Sequence, residues 1–143
     1  MKSDINNNII GNNATDINDL IQLDLSNFEK ISVNAGHVFA LQNERSDIAF
    51  FLSAGAAQVY VDTSYGPVTL ATIHAPRLIG EISSITHLPR IANLKAHTEC
   101  IIYKIHRNDL LEIIQANTHL FQSIIQQLSE QLSSVNKAVS YTH

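Results

Sequence analysis

Short runs of apolar and β-branched residues follow one another through the middle of the sequence, from residue 28 to residue 105. The runs are rich in Val, Ile, Phe and Tyr; they are EKISVNAG, HVFALQ, AFFLSAG, AQVYVDT, VTLATI, NLKAHT and CIIYKI. Turn-forming residues separate them, among them Gly36, Gly55 and Gly66. Many short strands at nearly regular spacing are typical of antiparallel sandwiches and barrels. The pattern therefore predicts a mainly β fold with flanking helices, the barrel lying at about 29–105.

The hydrophobic period changes from two to 3.6 residues after Ile105, which marks a change from strands to helices. A hinge helix is predicted at about 107–116, and a long C-terminal helix at about 118–139. The sequence begins with an Asn-rich stretch at 1–15, which is predicted to be a flexible N-terminal tail. A chain of 143 residues has the length of one domain, and we assign 16–143 to it.

Apolar residues recur in the C-terminal helix at alternate steps of three and four, which is the spacing of a coiled-coil seam. The seam residues are Phe121, Ile125, Leu128, Leu132, Val135 and Val139. A second apolar edge is formed by Leu120, Ile124 and Leu128. If this edge packs on the barrel, the seam is free to form a homodimer. The alternative is that the seam itself packs on its own barrel.

Charge and hydropathy narrow the classes of partner. With 13 acidic and 9 basic residues the formal charge is −4, so no broad positive field attracts DNA or an anionic membrane. No apolar run approaches the roughly 18 residues that a membrane-spanning helix needs. The polar N-terminus does not resemble a secretory signal. A cytoplasmic location is expected.

The cysteine and histidine residues of the sequence give little support for a metal or cofactor site. The single cysteine, Cys100, lies in a strand-like run and is expected to be a buried, inert thiol. The seven histidines show neither H-x-H nor H-x3-H spacing. A cupin-like metal site would need distant histidines to converge. We therefore expect no metal and no resident cofactor.

An acid and an arginine stand nine positions apart in GEISSITHLPRIA, which begins at Gly80. An arginine forms bidentate bonds with phosphate oxygens, and the carboxylate of Glu81 can accept a bond from a sugar hydroxyl. Gly80 would allow close approach of the backbone. A turn of helix after it would point free N–H groups of Ile82 and Ser83 at an anion. The alternative is a surface salt bridge between Glu81 and Arg90.

The stretch IGEISSITHLPRIANLKA, at 79–96, resembles the phosphate-binding cassette of the cyclic nucleotide-binding domain family. The stretch upstream resembles the family as well and keeps Asp47 and Gly55. The stretch downstream resembles the last strands, hinge helix and long C-terminal helix of bacterial cyclic AMP receptor proteins. The similarity extends over roughly 29–139.

This resemblance implies a double-stranded β-helix, or jelly roll, that binds cyclic AMP or cyclic GMP. Glu81 would bind the ribose 2′-hydroxyl, and Arg90 would bind the exocyclic phosphate oxygens. Asn136 matches the position from which the C-terminal helix often contacts adenine. Asn93 could read the base or bond its own strand. The phosphate cradle would be completed by Gly80, Ser83 and the amides of Ile82, Ile91 and Ala92.

One departure from the family bears on function. Ile91 stands where a small residue normally follows the arginine, and its β-branched side chain could crowd the phosphate. One hypothesis is a stand-alone sensor that signals through its C-terminal helices to a partner protein or a second copy. The other is a ligand-free, dimerising scaffold in which Ile91 fills part of the pocket. No DNA-binding helix is expected after Val139, and no motif pairs a nucleophile with a base, so we expect no enzyme activity.

Overall fold

The computed structural model describes residues 25–119, 121–126 and 129–130. Some predictions lie outside this part of the chain: the tail at 1–15, the adenine contact of Asn136, and the packing of Leu120, Leu128, Leu132, Val135 and Val139. Within the predicted C-terminal helix, residues 118–119, 121–126 and 129–130 are helical. Its full length stays a prediction.

In the described part of the chain, a short 3-10 helix at Leu25–Asn27 is followed by eight strands, two α-helices and the helical residues from 118 onward. The strands are β1 Glu29–Val33, β2 Val38–Ala40, β3 Ile48–Ala54, β4 Ala56–Thr63, β5 Gly66–His74, β6 Arg77–Ile79, β7 Asn93–Ala96 and β8 Cys100–His106. The helices are α1 Glu81–Thr86, inside the cassette, and α2 Arg107–Ala116.

The strands form two four-stranded antiparallel sheets. The first sheet has the order β1-β8-β3-β6 and the second has the order β2-β7-β4-β5. Phe51 of β3 pairs with Tyr103 of β8 in the first sheet, and Val59 of β4 pairs with Leu94 of β7 in the second. Two such sheets around one core form a double-sheet jelly roll, so the predicted mainly β class is confirmed.

Strands β3 and β8 lie in the middle of the first sheet and bury both of their faces. Successive side chains of a strand point to opposite faces, so Phe50 enters an inner core between the sheets while Phe51 enters an outer core beneath the helices. On β8, Ile102 likewise enters the inner core and Ile105 enters the outer core. Burial on both faces explains why these strands read as continuous apolar runs. Each buried Phe contributes about 1.5–3 kcal/mol.

The outer core holds the helices against the first sheet. Its members are Ala49, Phe51, Leu78, Ile82, Ile105, Leu110, Ile114 and Ile124. Ile124 is buried there, whereas Phe121 and Ile125 are about half exposed. Of the described residues on the two apolar edges, Ile124 therefore packs on the domain, which favours the arrangement that leaves the seam free. No helix among the described residues is both long enough and apolar enough to span a membrane.

The turn between β3 and β4 depends on Gly55, whose φ is +93°. L-residues with a side chain rarely adopt this conformation. A Cβ atom on Gly55 would collide with the backbone oxygen of Glu99 and would lie 2.9 Å from the sulfur of Cys100. The hydroxyl of Thr98 accepts a 3.0 Å bond from the N–H of Ala56 in the same place. Gly55 thus lets two turns pack closely at one end of the sandwich.

Candidate functional site

The cassette leaves the first sheet through Gly80, which has a φ of +74° and precedes helix α1. A Cβ atom on Gly80 would lie 2.8 Å from Nη1 of Arg90 and 3.4 Å from the ring of Phe50. The close approach predicted from the sequence is therefore made to Arg90 of the same chain. This contact brings the first and the last parts of the cassette together.

The Glu81 carboxyl is buried, with 4% of the residue exposed. It accepts bonds from the backbone N–H groups of Glu81 and Ile82. Among the described residues, Oε2 has no hydrogen-bond partner. Burial raises the pKa of Glu81 from 4.5 to about 7, while its own backbone bonds and the nearby charge of Arg77 act in the opposite direction. The site therefore contains a buried carboxyl oxygen that is open to a further hydrogen bond.

Arg90 is equally buried, with 4% exposed. Its Nη2 donates a 2.7 Å bond to the carbonyl of Ile48, and its guanidinium lies 5.3 Å from the ring centroid of Phe50. Its Nε is 3.6 Å from Oε1 of Glu44 and has no hydrogen-bond partner among the described residues. Burial lowers the pKa of Arg90, and Glu44 raises it. The guanidinium is thus fixed in the wall of the barrel with one donor unused.

The turn at 41–47 holds the backbone of Arg90 on both sides. The N–H of Asn43 donates a 2.7 Å bond to the carbonyl of Arg90, and the N–H of Arg90 donates a 2.8 Å bond to the carbonyl of Glu44. Asn43 has a φ of +71°, a conformation that Asn tolerates better than most residues. Sequence reasoning missed Glu44, since no motif marks an acid at that position.

The other end of the cassette is anchored to the same turn and to α2. Ser84 Oγ donates a 2.8 Å bond to the carbonyl of Asp47, and Asp47 Oδ1 lies 2.9 Å from Nδ1 of His87. Arg45 donates to the carbonyl of His87 at 3.0 Å. Arg107, the first residue of α2, donates a 3.2 Å bond to the carbonyl of Ile85. Arg107 thus links the start of α2 to the cassette helix.

The two central charges do not pair with each other. The charge acting on Glu81 is that of Arg77, and the carboxylate near Arg90 is that of Glu44. The predicted alternative of a salt bridge between Glu81 and Arg90 is therefore wrong. Arg77 is half-buried, and its charge acts on Glu81.

The side chain of Asn93 does not bond its own strand, and its contact with a base stays a prediction. Its Nδ2 donates a 3.0 Å bond to the carboxylate of Asp62, and its Oδ1 accepts a 2.8 Å bond from the N–H of Gln42. Asp62 lies on β4 and Gln42 lies in the 41–47 turn. The amide thus joins the turn to a neighbouring strand, rather than bonding its own strand.

The remaining cassette residues occupy three environments. Ile82 belongs to the outer core and Ala92 to the inner core. Ser83 is half-buried, and its carbonyl accepts a 2.9 Å bond from the N–H of His87. Ile91 is 66% exposed. Its side chain therefore does not fill the interior of the barrel.

A cavity of about 440 Å³ lies where the cassette helix ends and α2 begins. Its lining residues are Asp47, His87, His106, Arg107 and Asn108. Neither Glu81 nor Arg90 lines it, so this cavity is separate from the predicted ligand site. Within the described part of the chain, no group of three or more His, Cys, Asp or Glu side chains is arranged to hold a metal ion.

A family model described as "Cyclic nucleotide-binding domain" matches residues 30–117. The chain belongs to the cyclic nucleotide-binding domain family. The resemblance seen in the cassette is thereby confirmed, and the match covers every strand of the jelly roll apart from the first residue of β1. No curated protein matches this family member significantly in sequence.

Solved structures share the fold of this cyclic nucleotide-binding domain. The catabolite activator protein of Thermus thermophilus has a TM-score of 0.68 and 19% identity, over 94% of this chain and 62% of that one. The cyclic nucleotide-binding-like protein of Brucella abortus has a TM-score of 0.58 and 20% identity, over 71% and 98%. The cAMP-bound protein PfPKA-R has a TM-score of 0.56 and 18% identity, over 60% and 31%. The chain spans less than two thirds of the Thermus thermophilus protein.

The buried carboxyl of Glu81 predicts a specific pH dependence of stability. Below about pH 4.5 the group is protonated in both the folded and the unfolded chain; between about 4.5 and 7 only the folded chain keeps the proton. The contribution of Glu81 to the free energy of unfolding is therefore fully present below about pH 4.5 and is lost as the pH rises through about 7. At about 1.4 kcal/mol per pH unit, the loss is about 3 kcal/mol.

Glu81→Gln cannot ionise and should lack this decline in the free energy of unfolding. Urea unfolding between pH 4.5 and 8 measures it. The exposed Glu112 gives a matched control, since Glu112→Gln should keep the wild-type slope. Parallel curves for the wild type and Glu81→Gln would contradict the assignment.

Proposed function

We propose that the chain is a regulatory module that binds cyclic AMP or cyclic GMP at the cassette. The observation that carries the proposal is the buried guanidinium of Arg90, which has an unused Nε donor and packs against Gly80 in a member of this family. Exocyclic phosphate oxygens match such a donor, because charge-assisted bonds from arginine to phosphate are short and directional.

Glu81 supplies the second half of the proposed site. Its Oε2 lacks a partner within the described chain, and a buried acceptor without a partner costs free energy that a ligand hydroxyl would recover. The ribose 2′-hydroxyl is a suitable donor. Because this oxygen accepts in either protonation state of the carboxyl, binding does not require full ionisation at pH 7. The predicted contacts of Asn136 and Asn93 with the base belong to the same proposal.

The output of the module passes through its helices. Arg107 ties α2 to the cassette by its bond to the Ile85 carbonyl, so a ligand that moves the cassette also moves α2. The exposed Phe121 and Ile125 begin the predicted seam, and we propose that they meet a second copy of the chain. Coupling between the site and the seam would be about 1–3 kcal/mol, as is typical of allosteric proteins.

Other parts of the proposal follow from the chemistry of binding. We propose that the ligand is not turned over, that the protein is cytoplasmic, and that the output reaches a protein partner or a second copy. The competing scaffold hypothesis needs Ile91 to fill part of the pocket. The 66% exposure of that side chain favours the sensor.

Calorimetric titration tests the proposal. We expect saturable binding of cyclic AMP, cyclic GMP or both, and no binding of 5′-AMP at the same concentrations, because the open phosphate carries an additional charge and does not have the cyclic shape. Sedimentation of the same samples should detect a dimer whose affinity changes when ligand is added. Absence of heat and of a thermal shift with both cyclic nucleotides would refute the sensor.

A further inference from the structure

Arg90 already has an anionic neighbour within its own chain. The Nε of Arg90 faces Oε1 of Glu44 at 3.6 Å, which is within the distance of an ion pair but too long for a hydrogen bond. Its Nη2 is engaged by the carbonyl of Ile48, and one face of its guanidinium lies over Phe50. Among the described residues, no other carboxylate forms an ion pair with Arg90. Glu44 therefore supplies the negative charge closest to the unused donor.

Backbone bonds hold the turn that carries Glu44, while the carboxylate itself is held only weakly. The carbonyl of Glu44 accepts from the N–H of Arg90 at 2.8 Å, and the N–H of Asn43 donates to the carbonyl of Arg90 at 2.7 Å. Apart from Arg90, the carboxylate contacts the N–H of Leu41, at a long 3.5 Å. The side chain is 43% exposed. It can therefore swing away from Arg90 without breaking the turn.

We propose that Glu44 sets the affinity of the site by acting as an internal counterion for Arg90, which the phosphate of a ligand must displace or repel. This inference rests on the proposed function, in which Arg90 binds the phosphate. Two anions beside one guanidinium repel each other, and a ligand gains less from Arg90 when a carboxylate already partly neutralises it. Glu44 thus weakens the binding of ligand. When no ligand is bound, it partly neutralises the charge of the buried arginine.

The direction in which ligand affinity changes when the Glu44 carboxylate is removed distinguishes this role from a positioning role. If Glu44 only orients the guanidinium, its removal weakens binding. If it competes with phosphate, Glu44→Gln tightens binding by roughly 3- to 30-fold, a range suited to a partly exposed charge. The gain should be the same factor for cyclic AMP and cyclic GMP, because the carboxylate faces the guanidinium and not the base. It should shrink as salt screens the repulsion.

The test is titration of the full chain with cyclic AMP and with cyclic GMP at about 50 and about 300 mM KCl, between which the Debye length shortens roughly twofold. The variants are Glu44→Gln, Glu44→Asp and a control, Glu99→Gln. Glu99 is an exposed acid at the opposite end of β7 from Arg90, so its removal changes the net charge equally without touching the site. Thermal unfolding of each variant confirms that it is folded; Glu44→Asp keeps the charge and covers the case in which Glu44→Gln does not fold.

We expect Glu44→Gln to bind more tightly than the wild type, Glu99→Gln to match the wild type, and Glu44→Asp to lie at or near the wild-type affinity. Equal or weaker binding by Glu44→Gln, beside a wild type that binds, overturns this inference and leaves the proposed function intact. Binding by Glu44→Gln alone supports it. Absence of binding by every variant and by the wild type overturns both proposals.

Discussion

Arg90→Ala is expected to lower the affinity for cyclic nucleotide by roughly 100-fold or more. Truncating one partner of a buried, hydrogen-bonded charge pair costs about 2–5 kcal/mol, and each 1.4 kcal/mol is tenfold in affinity. Arg90 meets this description because it is buried, with 4% exposed, and because it would pair with the phosphate in the proposed site. Calorimetric titration measures the loss, with cyclic AMP and cyclic GMP as ligands.

Two further variants make the result specific. Arg90→Lys keeps the charge but loses the forked geometry, so it should bind with intermediate affinity. Lys30→Ala removes one exposed positive charge from β1 and should bind like the wild type. Unfolding curves for all three must be cooperative, because Arg90→Ala also removes the bond to the Ile48 carbonyl. Wild-type affinity in folded Arg90→Ala would refute the assignment of this residue.

Gly55→Ala is expected to lower the free energy of unfolding by about 3 kcal/mol or more, or to prevent folding. Two costs add. An alanine at a φ of +93° is strained by about 1–2 kcal/mol. Its Cβ atom would also collide with the backbone oxygen of Glu99, and a backbone atom cannot move aside as a flexible side chain can. Urea denaturation measures the loss.

Gly36→Ala and Gly66→Ala are matched controls for the backbone strain. Gly36 has a φ of +92° and Gly66 a φ of +110°, yet a Cβ atom at either would meet nothing within 4 Å. These variants should lose only about 1–2 kcal/mol. Equal losses at all three positions would mean that the packing between turns at Gly55 contributes nothing beyond the dihedral angle.

Most of the strands could be anticipated because they carry their own signals in the sequence. The runs around β1 to β5, β7 and β8 were visible as apolar segments between turns. Strand β6, at Arg77–Ile79, was not anticipated, because three residues are too few to show a period. It exists because Leu78 pairs with Phe51 on β3, which is a tertiary contact. Local pattern cannot reveal such a strand.

The site divides in a similar way. Glu81 and Arg90 could be proposed from the sequence because they stand in one short cassette with recognisable spacing. Their actual electrostatic neighbours, Arg77 and Glu44, could not. The contact between Glu44 and Arg90 depends on how a turn folds back on the cassette, and the bonds of Asn93 depend on the same packing. Long-range contacts of this kind leave no periodic trace in the chain.

The burial of β3 on both faces also bears on how far relatives can diverge. The middle of a strand that lies between two cores requires apolar side chains but not particular ones, so Phe50, Phe51 and Leu52 can be exchanged for others of similar volume. Gly55 permits no such exchange. Sequence drift should therefore be wide along the strands and narrow at a few turns, which is how a fold can persist at 19% identity with the Thermus thermophilus protein.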